Sequence, residues 1–273
     1  MRARKMLLAC AVLLVGAVQA GAAVITLTNS NSIVQMDPAT QQGMFYWGVQ
    51  DTQYTYRNQL HQQWFWYRVG TDAEQSIDTI SAPVISEQTD KTVTTSYFDS
   101  LNRFSISVTY TLLGGSPSSG ASDISEQIVI HNTSGAVLPF HFYQYSDFDM
   151  AGTSGGDTIV LSRNGLNNLI NQADQFDDSC IVEVVNTRNA SHGEADVVPS
   201  TLIKLNDLVA TDLDDNKASA SGNVAWALQW DVNIAPDGSY IISKNKLLQI
   251  PEPAAMSLLA LGGLSLLVRR RRR

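Results

Sequence analysis

An alternation of period two restricts the fold of this chain more than any other feature. Phe104, Ile106, Val108, Tyr110 and Leu112 alternate with Ser105, Ser107, Thr109 and Thr111, so an extended segment here has one apolar and one hydroxylated face. Val224, Trp226, Leu228, Trp230 and Val232 form a second apolar face, opposite Ala225, Ala227, Gln229 and Asp231. Ile124 to His131 and Val137 to Phe148 read as neighbouring strands, joined by a turn at Asn132, Thr133, Ser134 and Gly135. Breaks rich in Gly and Ser at 114–122, 152–156 and 218–222 punctuate the strands. An antiparallel sheet with one wet face satisfies this pattern and a helix does not. The expectation is an all-β fold, an antiparallel β-sandwich forming a single domain over residues 24–249. One helix is expected around Gly165 to Phe176, where Leu166, Leu169 and Ile170 recur at helical spacing.

Charge is distributed unevenly along the 273 residues. Between Val24 and Ile250 stand 10 basic and 25 acidic side chains. A body with so large an acidic excess repels phosphate backbones, so nucleic acid is excluded as a sequence-independent partner. The apolar content of 44% is enough for a real core.

The basic residues missing from the body lie at the two ends. Residues 1–23 read as a signal peptide: Arg2, Arg4 and Lys5, an apolar run from Met6 to Val18, then small residues at Ala20, Ala22 and Ala23. Cleavage after any of the three alanines fits. Cys10 leaves with that segment, so Cys180 is the one cysteine of the mature chain. No internal disulfide can form, and Cys180 reads as a small buried residue. At the other end, residues 250–273 contain Pro251, Glu252 and Pro253, an apolar run from Ala254 to Val268, and then Arg269, Arg270, Arg271, Arg272 and Arg273. This is a helix-breaking tripeptide, a short transmembrane helix and a cationic stop. Fifteen residues span only about 22 Å as a helix, marginal against a hydrocarbon core of about 30 Å, which suits transient display in the inner membrane better than permanent anchoring.

That ordered trio resembles the PEP-CTERM sorting signal of bacterial exported proteins, with Ile250 in place of the usual Val. The resemblance implies recognition by an exosortase, a membrane enzyme that cuts near the tripeptide and passes the protein to the cell surface or extracellular matrix. The body, in Gln144 to Asp149, Trp226 to Val232 and the turn Ala235 to Gly238, resembles other exported proteins that bear this signal. Those proteins mostly lack an assigned activity, so the resemblance adds little about function.

Candidate chemistry in the body is sparse. Gly152 to Gly156 matches G-x-S-x-G, but a strand-like run follows it where a nucleophile elbow needs a helix. The four histidines share no zinc spacing. His141, Tyr143, Tyr145 and Asp147 fall on one face of a strand and could line a polar cleft. Asp212, Asp214 and Asp215 resemble the start of a calcium loop, as do Asp174, Asp177 and Asp178. Counting from Asp212, Lys217 and Asn223 stand where an EF-hand needs Gly and Glu. A looser calcium site is the one metal candidate, and no other cofactor is expected. Trp64, Trp66 and Arg68 share a strand face in the most aromatic part of the chain and are the candidate glycan-binding residues, provided the rings are exposed. The expected role is a non-enzymatic, structural or adhesive one in an extracellular polysaccharide layer; the alternative is a carbohydrate-binding module centred on Trp64 and Trp66.

Overall fold

The computed structural model describes residues 23–51, 55–162 and 168–251. Glu252, Pro253, the arginine cluster, the apolar tail and the expected signal peptide up to residue 22 lie outside the described residues. In chain order the strands are β1 (Ile25–Asn29), β2 (Ser32–Asp37), β3 (Gly43–Val49), β4 (Arg57–Asn58), β5 (Gln62–Val69), β6 (Gln75–Ser76), β7 (Val84–Ser86), β8 (Thr92–Phe98), β9 (Phe104–Gly114) and β10 (Ala121–Asn132). They continue with β11 (Leu138–Asp147), β12 (Asp157–Ser162), β13 (Leu169–Asp174), β14 (Cys180–Thr187), β15 (His192–Val197), β16 (Ser219–Gly222), β17 (Val224–Ile234) and β18 (Ser239–Gln249). One short helix, α1 (Ser200–Leu205), precedes β16.

The strands form two nine-stranded sheets. The first runs β1-β2-β3-β5-β11-β17-β15, with β4 beside β3 and β6 beside β5; the second runs β16-β12-β13-β14-β18-β10-β9-β8-β7. All ladders are antiparallel except a short parallel contact of β3 with β5. Burial along β9 and β10 alternates as period two requires. Their apolar face packs against the first sheet, while Thr94–Thr109 and Ser96–Ser107 pair through hydroxyls 2.8 Å apart on the other face. Aromatic rings fill the layer between the sheets. Tyr67 on β5 stacks on Phe140 on β11 at 5.9 Å, and Phe104 on β9 meets Phe140 edge-on at 5.1 Å. Phe148 stacks on Trp226 at 5.3 Å. Truncating one such ring to alanine removes roughly 3–5 kcal/mol.

The inner face of the second sheet also carries charge. Glu126 on β10 lies opposite Lys244 on β18, and Glu183 on β14 lies opposite Lys246; all four side chains are fully buried. Lys244 and Lys246 both pair with Glu126, the latter at 2.8 Å. Glu183 lies 3.5 Å from Lys244 and accepts hydrogen bonds from the Gln144 side-chain amide at 2.7 Å and the Trp226 indole at 3.3 Å. Burial pushes the Glu126 carboxyl up, but the two ammonium groups outweigh it and hold it at about 2.

Three expectations are corrected here. Asn132 to Gly135 reverses the chain, yet β10 and β11 are not neighbours: they belong to different sheets, so the turn crosses the sandwich. The buried Asn132 side chain anchors that corner by donating to the carbonyls of Ala136 and Ile234, both at 2.8 Å. Within Gly165 to Phe176, the described residues from 169 to 174 form strand β13, not a helix; Ile170 and Gln172 alternate inward with Leu169 and Asn171 outward. Ala225, Ala227 and Gln229 of β17 are buried rather than wet, because the chain from 199 to 217 crosses over them.

Candidate functional site

The outer face of the first sheet brings the polar residues together. Register places Arg68 of β5 beside His141 of β11, and His141 beside Asp231 of β17. One step along, Trp66, Tyr143, Gln229 and His192 of β15 form the next row. Period two thus puts the cluster on one face, as the sequence suggests for His141, Tyr143, Tyr145 and Asp147.

Most of that face is roofed by residues 199–217. Lys204 of α1 ion-pairs with the buried Glu194 at 2.7 Å. Asn206 accepts the Trp66 indole hydrogen bond at 3.1 Å, and the Thr211 carbonyl accepts from the Tyr143 hydroxyl at 2.8 Å. The backbone amides of Leu213 and Asp214 donate to Gln229 and Glu194. Trp64 donates to Ser76 at 2.9 Å and packs edge-on against Tyr97. Gly43 makes room for it: a Cβ there would sit 2.3 Å from the Trp64 ring, at a backbone φ of +57°. Trp64 and Trp66 are both 0% exposed, so the expectation of rings presented to a sugar is overturned; they are core. Arg68, also buried, remains at the border of the roof.

Beyond the roof the face opens onto a chain of imidazoles and carboxylates. His141 Nδ1 lies 2.6 Å from Asp231 Oδ1. The other Asp231 oxygen lies 3.2 Å from His192 Nε2, whose Nδ1 lies 2.7 Å from Asp215. Arg68 Nη2 donates to Asp212 at 2.5 Å and lies 3.2 Å from His141 Nδ1. That imidazole nitrogen can donate to Asp231 or accept from Arg68, but not both at once, so its proton reports on which neighbour it serves. Gln229 bridges Asp212 and Asp231 at 2.8 Å to each. Burial pushes the Asp231 carboxyl up, and hydrogen bonds from His141 and Gln229 more than offset it, leaving the group below the usual carboxylate range. Hydrogen bonding from Gln229, helped by the Arg68 charge, lowers Asp212 in the same way. His141, Asp231 and His192 are between a fifth and a third exposed, so a ligand can reach them from solvent.

Of the calcium candidates, Asp212 joins this cluster, where an imidazole nitrogen of His141 and one carboxylate oxygen each from Asp212 and Asp231 lie within 4.8 Å of one another. Asp214 instead caps the turn at Asn216, and Asp215 binds His192 and the Gly193 amide. The three do not converge into one loop site. His192 was not legible as a site residue: it lies 51 positions from His141 in the chain and reaches it only through the β15–β17 ladder. Gly152 to Gly156 forms a turn and loop leading into β12, and Cys180 is a half-buried free thiol. Pro251, half-buried, follows Ile250, whose amide donates to the Gly120 carbonyl at 2.9 Å.

Residues 249–273 match the PEP-CTERM protein-sorting motif. No curated protein matches the chain. Among solved structures, the body is similar to a putative aldose 1-epimerase from Escherichia coli K12, at 9% identity and a TM-score of 0.56 over 85% of this chain and 99% of that one. A galactose mutarotase related enzyme from Lactobacillus acidophilus matches at 9% identity and a TM-score of 0.53, over 84% and 100%. A bacterial glucoamylase complexed with acarbose matches at 13% identity and a TM-score of 0.56, over 85% of this chain but only 32% of its own length. At these identities the likeness is one of fold. The chain carries the sorting signal of PEP-CTERM proteins, which implies an exported precursor processed by an exosortase, behind a body with the two-sheet fold of the aldose 1-epimerases.

Proposed function

We propose that the body binds a sugar through Arg68, His141, Asp231 and His192 and serves a structural or adhesive role in an extracellular polysaccharide layer, where exosortase processing delivers it. The carrying observation is the cluster on the outer face of the first sheet in which Arg68, His141 and Asp231 share one register row and the Asp231 carboxylate reaches His192 in the next, with both imidazoles and Asp231 open to solvent. Guanidinium and imidazole donors alternate there with carboxylate acceptors, and vicinal sugar hydroxyls need donor and acceptor at such spacing. The fold, shared with enzymes named for aldose and galactose, agrees with this choice of ligand. With Trp64 and Trp66 covered, recognition is polar and the affinity modest.

The test is a titration of the protein with monosaccharides and with polysaccharide from its own cells, read by NMR at the imidazoles. Shifts of both His141 and His192 that vanish in Asp231→Asn support the reading; silent imidazoles across the series refute it. A second reading, sugar-ring epimerisation, is favoured by one observation: two imidazoles share the Asp231 carboxylate. Interconverting anomers needs a base at the anomeric hydroxyl and an acid at the ring oxygen. Mutarotation of freshly dissolved galactose or glucose no faster than in buffer removes that reading and leaves binding intact. Sorting is tested separately by replacing Pro251 to Pro253 with alanines, which should leave the precursor in the inner membrane; unchanged release contradicts exosortase processing.

A further inference from the structure

We infer that a calcium ion binds inside the sandwich at the ends of β12, β13 and β14, held by oxygens of Asp157, Gln172, Asp174 and Ser179. The inference is independent of the sugar site, which lies on the far side of the first sheet.

Register builds this corner. Asp157 on β12 is the direct partner of Asp174 on β13, and the Asp174 amide donates to the carbonyl of Ser179, just ahead of β14, at 2.9 Å. Three oxygen-bearing side chains therefore lie in a row across adjacent strands. All point inward, in line with Ile159, Ile170 and Ile181 on the same faces, and none is more than 2% exposed. Gln172 lies two residues before Asp174, on the same face of β13.

Each of these side chains has a spare oxygen. Asp157 Oδ2 accepts from the Met150 amide and from Gln172 Nε2 at 2.5 Å, while Oδ1 has no partner. Asp174 Oδ1 accepts from the amides of Phe176 and Asp177, while Oδ2 has none. The Gln172 amide donates to Asp157 and to the Phe148 carbonyl at 2.8 Å, which fixes its orientation and leaves Oε1 unpaired. The Ser179 hydroxyl is also unpaired. Four unsatisfied oxygens at one buried corner, two of them on carboxylates directly opposite each other, make an arrangement that proteins avoid unless something positive sits among them.

Arg57 pairs with Asp177 at 2.8 Å, not with either of the two aspartates. No lysine or arginine forms an ion pair with Asp157 or Asp174 among the described residues. An all-oxygen set in which each carboxylate is anchored through one atom and free at the other suits calcium. Calcium accepts six to eight oxygens in loose geometry and completes its shell with water. The competing arrangement is a proton shared between Asp157 and Asp174.

The test uses the mature protein purified from its own cells, stripped with chelator and titrated with Ca2+ by calorimetry and thermal melting. One ion is expected, with a Kd of about 10⁻⁴–10⁻³ M as for extracellular sites, and a rise in melting temperature. Asp157→Asn should weaken binding at least tenfold. Ser179→Ala, which keeps both carboxylates and should fold in any case, should weaken it severalfold. Asp214→Asn, in the exposed acidic loop, should leave it unchanged. A melting temperature indifferent to Ca2+ overturns the inference in favour of the shared proton. So does calcium binding that survives both Asp157→Asn and Ser179→Ala, or that is lost in Asp214→Asn.

Discussion

Glu126 and Glu183 on one side of the second sheet's inner face, and Asp157 and Asp174 on the other, are four carboxylates withdrawn from water by the same two layers. Glu126 and Glu183 face Lys244 and Lys246 across one strand, and Glu126 is held at about 2. Asp157 and Asp174 face each other, and Asp157 is pushed up to about 7. Burial penalises both sets alike; the difference lies in what the neighbouring strand contributes at the matching register position. A buried carboxylate is therefore a different chemical object depending on a single cross-strand residue.

The largest expected effect comes from unbalancing the paired set. Lys244→Met leaves two buried carboxylates with one ammonium group and should lower unfolding free energy by about 3–5 kcal/mol in urea titrations. A loss below about 1 kcal/mol would show that the quartet is not a charge-balanced unit. Replacing all four residues with apolar ones of matching volume should be far milder than the single change.

Acid should then separate the two sets, in chelator. Asp157 has a folded value near 7 against about 4 unfolded, so the folded state holds the extra proton between those values. Its destabilising contribution is full above pH 7 and disappears as pH falls towards 4. Asp147, pushed up to about 6 by burial against the pull of His61, acts in the same direction. Glu126 has the opposite sign: its contribution is present above about 4.5 and is lost as pH falls through about 2. Stability should rise from pH 8 to pH 5, on the order of 2–4 kcal/mol, and collapse below pH 4. A curve flat between 8 and 5 would remove the unpaired character of Asp157. Subtracting the Asp157→Asn curve isolates this group from every other titrating side chain.

A smaller gain is expected from Asp157→Asn itself. At pH 8 without calcium it should stabilise by roughly 1–2 kcal/mol, because the buried charge is gone while the hydrogen bond from Gln172 persists. In millimolar calcium that gain should shrink by up to about 1 kcal/mol, because wild type binds the ion more tightly than the variant, and this dependence on calcium is the sharpest form of the comparison. Asp214→Asn, on the open loop, should move stability by no more than about 0.5 kcal/mol under either condition.

Much of this was legible in the sequence. Strands β9, β10, β11 and β17 follow from alternation, and the shared face of His141, Tyr143, Tyr145 and Asp147 follows from the same arithmetic. What a turn does not encode is which sheet the next strand joins, and so β10 and β11 read as neighbours although they lie in different sheets. The burial of Trp66 depends on Asn206, 140 residues later, and no local signal announces that roof. Lys244 and Lys246 have the same parity as Ile242 and Leu248, which places them inward. Lysines on a mainly apolar face usually extend their charge to solvent, and only the facing glutamates reverse that expectation.

Strand β18 has one further consequence. It is the last strand of the body, yet it lies between β14 and β10 in the middle of its sheet, and it ends at Gln249, two residues before Pro251. The keystone therefore arrives after every other stone. Until β18 is in place, the second sheet is two half-sheets with open edges, each a template for wrong pairing. Residues 249–273 match the sorting motif, so the strand that closes the sheet ends where the sorting segment begins.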